Sequence, residues 1–155
     1  MFRTMRRWKQ QLTEEECIEV LEHEPRGVLS GHGEDGYPYG IPINFVYDGG
    51  KIYFHGAKQG HKIDALKKDN KVSFTVMDHG YLESNKLGLN VKSVVVFGRI
   101  RFVDDREETI REARKLGLKY DPADFVESEL KAKANVIQVL ELSIDHMTGK
   151  LVNES

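Results

Sequence analysis

The chain has 155 residues, a formal net charge of −2 and a charged fraction of 31%. This length predicts a single domain over residues 1–155, and the near-neutral charge gives no reason to expect binding to nucleic acid or to an anionic membrane. Because Cys17 is the only cysteine, the sequence excludes an intrachain disulfide and a metal site built from several cysteines. No apolar run is long enough to span a membrane, so we expect a cytoplasmic protein.

The N-terminal part of the chain predicts one helix followed by a strand. Residues 1–9 are basic, which is typical of a solvated tail or of an arm that binds phosphate. Thr13 and Glu16 have the spacing of a capping box, in which each side chain accepts a hydrogen bond from the other residue's backbone N–H. The helix is expected to end near Glu24, before Pro25, and a first strand follows over residues 27–30.

Two further strands are predicted over residues 37–47 and 51–55, joined by a turn at Asp48-Gly49-Gly50. Pro38 and Pro42 cannot donate hydrogen bonds to a β-ladder, so the second strand is expected to be bent, bulged or partly at an edge. This irregularity leaves backbone groups near residues 41–44 free for a ligand.

The remaining pattern predicts a short helix over 60–69, a strand over 72–76, a polar loop over 78–92 and a long strand over 93–103. Gly98 in the long strand indicates a β-bulge or a close approach of another backbone segment. Helices over 106–116 and after Pro122 precede a last strand over 135–144. Because most strands lack a helix between them, we predict a mainly β, α+β fold: a barrel or strongly curved antiparallel sheet of six strands with peripheral helices.

Residues 31–36 spell G-x-G-x-x-G, the pattern of dinucleotide-binding proteins. That pattern binds a pyrophosphate only between a strand and the N-terminus of a helix. Here a second strand follows, with Pro38 close behind. We therefore interpret residues 31–36 as part of a hairpin turn.

Residues 55–62, HGAKQGHK, bring hydrogen-bond donors and positive charge to the start of a helix. A helix start can bind an anion, most often a phosphate, because its first N–H groups are free and the helix dipole is positive there. Lys62 lies in the first turn, where a lone cation opposes the dipole, and that position is explained if an anion binds there. The alternative is that Lys62 is a solvated lysine, with His55 at a strand end and His61 at a helix cap.

Other site chemistries have little support in the sequence. The six histidines lack the spacing of a zinc site, so we predict no metal site, and no nucleophile motif is present. Aromatic residues are frequent along the second and third strands. Most of them are expected to pack in a barrel, while one or two of them could line a flat aromatic ligand; they are Tyr37, Tyr39, Phe45, Tyr47 and Tyr53.

The segments PINFVY (42–47) and IYFHGA (52–57), followed by Gly60-x-Lys62, resemble those of the FMN-binding split barrels, the pyridoxamine 5′-phosphate oxidase-like superfamily. Within it, the chain is similar to the branch of nitroimidazole-resistance proteins. The resemblance covers nearly the whole chain. It implies a split β-barrel, FMN as the cofactor, and a homodimer that binds two FMN molecules in clefts between its subunits.

The resemblance also implies roles for individual residues. Pro42, Ile43 and Asn44 would contact the flavin ring, and Ser93 would complete the site in the same subunit or in its partner. The ribityl phosphate would be held by His55, Gly56, Ala57 and Lys62, with His61 close by. His55 matches a histidine that has been regarded as functionally important, so it is the candidate catalytic residue. The Arg-x-His pattern of true pyridoxamine phosphate oxidases is missing, and vitamin B6 oxidation is not expected.

Two functional hypotheses follow. In the first, the protein is an FMN-dependent oxidoreductase that passes electrons from a reduced nucleotide to a small acceptor such as a nitroaromatic compound. In the second, it is a non-catalytic module that binds a flavin- or haem-type ligand for sensing or storage, because the sequence offers no acid–base pair. Nucleic-acid binding by the basic N-terminus lacks a recognisable reading motif.

Overall fold

The computed structural model describes residues 1–154. Within this range the α-helices are α1 (Glu14–His23), α2 (His61–Lys68), α3 (Arg106–Tyr120) and α4 (Ala123–Lys133). The strands are β1 (Arg26–His32), β2 (Pro38–Asn44), β3 (Val46–Asp48), β4 (Lys51–Ala57), β5 (Lys71–Met77), β6 (Leu89–Val103) and β7 (Ile137–Glu154). The predicted mainly β, α+β fold is confirmed. Among the described residues, no helix has the length and apolar character needed to cross a membrane.

The strands form one antiparallel sheet in the order β2-β1-β5-β6-β7-β4-β3. Strands β2 and β3 lie at opposite edges of this sheet, yet only Phe45 separates them in the chain. The bend at Phe45 therefore joins the two edges, and the sheet curls into a barrel.

The predicted number of six strands is wrong, because the second predicted strand is divided at Phe45 and the sheet described here has seven strands. The backbone of Phe45 bonds to α3 and not to a neighbouring strand: its N–H donates to Tyr120 Oη at 2.9 Å. Its carbonyl oxygen accepts from Lys119 Nζ, also at 2.9 Å. The expected bend is confirmed, and its immediate cause is this contact with a helix.

The barrel interior is filled by aromatic and aliphatic side chains from the inner face of the sheet. Phe74 makes edge-to-face contacts with Phe45 and Phe54, with ring centroids 4.9 and 5.0 Å apart. Apolar residues of α1 and α2 belong to the same cluster. The capping box of α1 is confirmed, since Thr13 Oγ1 accepts from Glu16 N at 3.2 Å and Glu16 Oε1 accepts from Thr13 N at 3.0 Å.

Helices α3 and α4 pack outside the barrel, where they cover the end of the sheet formed by β4, β6 and β7. A second apolar cluster joins them to Tyr53, Val103 and Val139, which share the outer face of these strands. The position of these helices matters for function, because the same strand ends carry His55, Gly56 and Ala57.

Two further strand predictions are tested by the ladder between β6 and β7. The register shifts between Phe97 and Gly98, which confirms the predicted bulge. The last strand was predicted over 135–144 but runs over Ile137–Glu154, because its polar second half pairs with residues 89–97 of β6. Residues 31–36 lead from β1 through a short 3₁₀ turn into β2, as expected for a hairpin connection.

Candidate functional site

The end of β4 and the start of α2 meet at Gly56. A Cβ atom added to Gly56 would lie 2.6 Å from Lys62 Nζ, so the ammonium group rests against the strand at a position that carries no side chain. Lys62 is half-buried, and burial lowers its pKa. Within residues 1–154 it makes no hydrogen bond or ion pair that would compensate for this burial. The site thus presents a partly desolvated cation without a protein counter-ion.

The first turn of α2 adds hydrogen-bond donors beside Lys62. Its N-cap is Gly60, whose φ of 132° favours glycine, and no side chain caps the helix start. The first N–H groups of the helix are consequently available to an external acceptor, and the helix dipole favours an anionic one. We refer to Gly56, Gly60, His61 and Lys62 as the Lys62 site.

His55 and Ala57 lie on the face of β4 opposite to Gly56, because side chains alternate along a strand. His55 pairs with Val139 of β7 and faces α3 and α4. Its pKa is lowered below 6.5 by desolvation, and the cations Lys62 and Lys133 add to this effect. The imidazole is therefore neutral near pH 7, although it keeps access to solvent.

His61 stands in the first turn of α2 and stacks on Tyr39 of β2, with ring centroids 4.2 Å apart. A small cavity beside this pair is lined by Lys62 together with His32 and Asp69. His32 Nδ1 lies 2.7 Å from Asp69 Oδ2. Sequence reasoning missed the pair of His32 and Asp69, because 37 positions separate them and neither belongs to a local motif.

The residues expected to contact a flavin ring lie elsewhere on the sheet. Ile43 packs against the barrel core, whereas Pro42 is exposed on the outer face, across from Val28 of β1. Asn44 is half-buried immediately before the bend at Phe45. Strand β1 pairs with β5, and β5 pairs with β6. In this register the side chains of Val28, Pro42 and Ser93 lie on the same outer face of the sheet.

Within one subunit, Ser93 lies far from the Lys62 site. Ser93 lies ten positions before Val103, which pairs with Val139 beside His55. At the rise of an extended strand these positions span about 30 Å along β6. The outer face around Ser93 is not covered by a described helix, and it exposes Val28, Met77 and Phe97 at 40%, 68% and 39%. We call this surface the open sheet face.

The geometry thus divides the predicted site residues into three groups. Gly56, His61 and Lys62 surround the start of α2. His55 and Ala57 face α3 and α4, where Gly56 also lines the cavity between these helices and the end of β4. Pro42 and Ser93 lie on the open sheet face. A ligand that touched all three groups would have to pass over the end of β4, or would need residues from a second subunit.

Comparison of the fold with solved structures gives several matches. A candidate 5-nitroimidazole antibiotic resistance protein from Bacteroides thetaiotaomicron is 21% identical, with a TM-score of 0.77. The match covers 91% of this chain and 86% of that chain. A FAD-binding protein from Mesorhizobium loti is 25% identical, with a TM-score of 0.67 and coverage of 93% and 98%. The FAD and heme binding protein from Mycobacterium smegmatis is 20% identical, with a TM-score of 0.75 and coverage of 94% and 74%.

Sequence comparisons identify the family. The comparison with curated proteins finds no match. A profile of the family described as pyridoxamine 5′-phosphate oxidase matches residues 13–151, which is most of the 155-residue chain. The match includes both segments on which the resemblance was based, so the predicted superfamily is confirmed. The chain belongs to the pyridoxamine 5′-phosphate oxidase family.

Proposed function

We propose that the protein is a cytoplasmic FMN-dependent oxidoreductase that passes electrons from a reduced nucleotide to a small acceptor such as a nitroaromatic compound. The observation that carries this proposal is the half-buried Lys62 ammonium, which rests against Gly56 without a counter-ion among the described residues. A buried charge is costly unless an opposite charge or hydrogen bonds compensate for it. A phosphate group at the start of α2 supplies both.

The residues of the Lys62 site fit the phosphate end of FMN. Lys62 provides the positive charge, and the uncapped first turn of α2 provides N–H donors on the same side. His61 is held in place by its stacking on Tyr39, so its ring borders the phosphate position without having to reorganise. The missing side chain at Gly56 leaves space for the Lys62 ammonium.

The proposed dimer accounts for the residues that lie far from Lys62. The open sheet face exposes apolar side chains over several strands, and a surface of this kind is typical of a subunit interface. A second copy packed on this face would bring Ser93 of one subunit toward the cofactor of the other. Pro42 and Asn44 would then border the flavin ring from the first subunit.

When bound, FMN supplies the two-electron chemistry, whereas the protein orients it and controls protons. His55 is the candidate for proton transfer, because its neutral imidazole can accept or donate a proton near pH 7. A His55→Gln variant should therefore slow acceptor reduction by about 100-fold, as expected for loss of a general acid or base. It should leave the affinity for FMN nearly unchanged, and an unchanged reduction rate would contradict the catalytic role.

The experiment that tests the cofactor is the absorbance spectrum of the protein as purified, before any cofactor is added. Flavin bands that survive desalting, or that appear after reconstitution with FMN, are the expected result. Absence of bound flavin after reconstitution would refute the proposal. The spectrum also detects haem, which absorbs in a different region.

A second candidate function is a non-catalytic module that holds a flavin- or haem-type ligand. It is favoured by the surroundings of His55, where the neighbouring charged groups that shift its pKa are lysines and not a carboxylate able to form an acid–base pair. One structural relative is named for binding both FAD and heme. Tightly bound flavin that small acceptors reoxidise no faster than free FMN would support this candidate.

A further inference from the structure

The segment before α1 is basic over residues 3–9, RTMRRWK. It contains four of the chain's 23 lysine and arginine residues and none of its 25 aspartate and glutamate residues. The net charge of −2 for the whole chain conceals this local excess of positive charge. We call residues 3–9 the basic arm.

The basic arm is held to the barrel at both of its ends. Phe2 stacks on His146 of β7, with ring centroids 4.5 Å apart, and Gln11 pairs with Lys150 of the same strand. Between these two contacts the arm is exposed to solvent, apart from the half-buried Met5. The arm is therefore a tethered loop, and a loop whose ends are already fixed loses less conformational entropy when it binds a partner.

The positive charge of the arm has no counter-ion inside the protein. No ion pair within residues 1–154 involves the arm, whereas four arginines of β6 and α3 pair with carboxylates. The nearest acidic residues in the chain are Glu14, Glu15 and Glu16 in the first turn of α1, where the helix dipole offsets part of their charge. Lys92 lies near Glu16, and Lys150 pairs with the residue next to Leu12. Among the arm and these neighbours, positive side chains outnumber negative ones, which favours an anionic partner.

Trp8 indicates which kind of anionic partner fits the arm. Its side chain is 64% exposed, and Lys9 Nζ lies 5.5 Å from the centroid of its ring. An exposed tryptophan beside cations is typical of segments that bind at a membrane surface, because the ring enters the headgroup region while the charges stay hydrated. Proteins that bind single-stranded nucleic acid place several aromatic rings in series, and the arm contains one.

We propose that the basic arm binds the surface of an anionic phospholipid membrane. In this complex Trp8 lies among the headgroups, and the arginines and Lys9 lie against lipid phosphates. The cytoplasmic leaflet of a cell membrane carries the anionic lipids, which agrees with the proposed cytoplasmic location. The arm shares no residue with the Lys62 site or with the other proposed cofactor contacts, so this proposal and the proposed function can fail independently.

The binding test mixes the full-length protein with two kinds of vesicle, one of equal parts phosphatidylserine and phosphatidylcholine and one of phosphatidylcholine alone. Because Trp8 is the only tryptophan, its fluorescence reports directly on the arm. We expect its emission to move to shorter wavelength, and the protein to float with the vesicles, only when phosphatidylserine is present. Added salt should release the protein, since it screens the charges. Binding to neither kind of vesicle, or equal binding to both, would overturn the proposal.

A pair of double variants tests whether the arm itself makes the contact. Arg6→Gln with Arg7→Gln removes two charges from the arm, and Lys68→Gln with Lys131→Gln removes the same charge from exposed positions outside it. A basic residue near an anionic membrane raises the affinity about 5-fold, so the arm variant should bind phosphatidylserine vesicles about 25-fold more weakly. The control should bind almost as the unmodified protein does. An equal loss in both would show that only the overall charge matters and would overturn the proposal.

A second pair of variants tests the role of the ring, with vesicle flotation as the measurement. Trp8→Ala should weaken binding to phosphatidylserine vesicles by about 10-fold. Tyr37→Ala, which removes a 74% exposed ring outside the arm, should not. Unchanged binding of Trp8→Ala would contradict the insertion of the ring and overturn the proposal. So would binding of single-stranded oligodeoxythymidine through the arm without binding to vesicles, since that result assigns the arm to nucleic acid.

Discussion

Burial lowers the pKa of two half-buried lysines, Lys62 and Lys119, but their surroundings differ. Lys119 Nζ donates hydrogen bonds to the carbonyl oxygens of Glu24 at 2.8 Å and Phe45 at 2.9 Å, and lies 3.7 Å from the centroid of the Phe45 ring. Lys62 Nζ rests on Gly56 and has no comparable partner within residues 1–154. The fold therefore provides hydrogen-bond acceptors for one half-buried cation and, among the described residues, none for the other.

This difference separates the structural role of Lys119 from the proposed binding role of Lys62. The acceptors of Lys119 belong to the end of α1 and to the bend between β2 and β3, so its bonds tie α3 to both. Tyr120 reinforces the same contact, because its hydroxyl accepts a hydrogen bond from Phe45 N at 2.9 Å. Lys62 joins no distant parts of the chain. Its burial stabilises the protein only when an anion compensates for it.

The largest expected effect is on cofactor affinity at Lys62. A Lys62→Ala variant should bind FMN about 30- to 100-fold more weakly, which corresponds to about 2–3 kcal/mol for a charged hydrogen bond to phosphate. Its affinity for riboflavin, which lacks the phosphate, should change little. Both affinities are measured by quenching of flavin fluorescence.

Lys58→Ala is the matched control for this variant, because Lys58 is an exposed lysine of the same loop. It should bind FMN almost as the unmodified protein does. The free energy of unfolding of Lys62→Ala without cofactor should be unchanged or higher, since an uncompensated cation is removed. An equal loss of affinity for FMN and riboflavin would contradict the phosphate role.

The next largest expected effect is a loss of protein stability when Lys119 is replaced. A Lys119→Met variant keeps most of the aliphatic contact but removes the hydrogen bonds from Lys119 to two carbonyl oxygens, so the free energy of unfolding should fall by about 1–3 kcal/mol. Urea unfolding measures the change. Lys131→Met, at an exposed position of α4, is the control and should differ by less than about 0.5 kcal/mol. A Lys119→Met protein as stable as this control would show that the bend at Phe45 does not depend on the lysine.

The features that sequence reasoning predicted correctly depend on residues close together in the chain. The capping box of α1 needs only Thr13 and Glu16, and the bulge at Gly98 is marked by one glycine in a β-rich run. The proximity of Gly56 and Lys62 was also predictable, since they lie six positions apart around one loop. Local backbone preferences and short-range contacts are enough to specify such features.

The features that were missed depend on distant residues. The division of the second strand at Phe45 involves Tyr120, which is 75 positions away, and no pattern in residues 37–47 contains that information. The second half of β7 is polar and includes Gly149, so its own sequence favours a loop; pairing with β6 makes it a strand. The cavity between α3, α4 and the end of β4 was missed for the same reason, because Phe125, Lys133 and His55 line one volume only after the helices pack on the sheet.

The smallest effect expected at these two lysines is a pH dependence of stability at Lys119. Burial lowers the pKa of Lys119 from 10.5 to about 8, an effect that the carboxylate of Glu24 opposes. Between these two values the unfolded chain binds more protons at this side chain than the folded protein does. The free energy of unfolding therefore gains a contribution that rises with pH from about 8 to 10.5, as the buried ammonium becomes a neutral amine that still donates to both carbonyls.

Because other lysines and tyrosines titrate in the same range, the quantity to measure is the difference in unfolding free energy between the unmodified protein and Lys119→Met. Urea unfolding at several pH values across this window should show the difference growing with pH. A difference that stays constant would mean that the two carbonyls and the Phe45 ring hold Lys119 fully protonated. In that case the pKa of Lys119 would be unshifted despite its burial. Lys119 and Lys62 would then differ only in their hydrogen-bond partners.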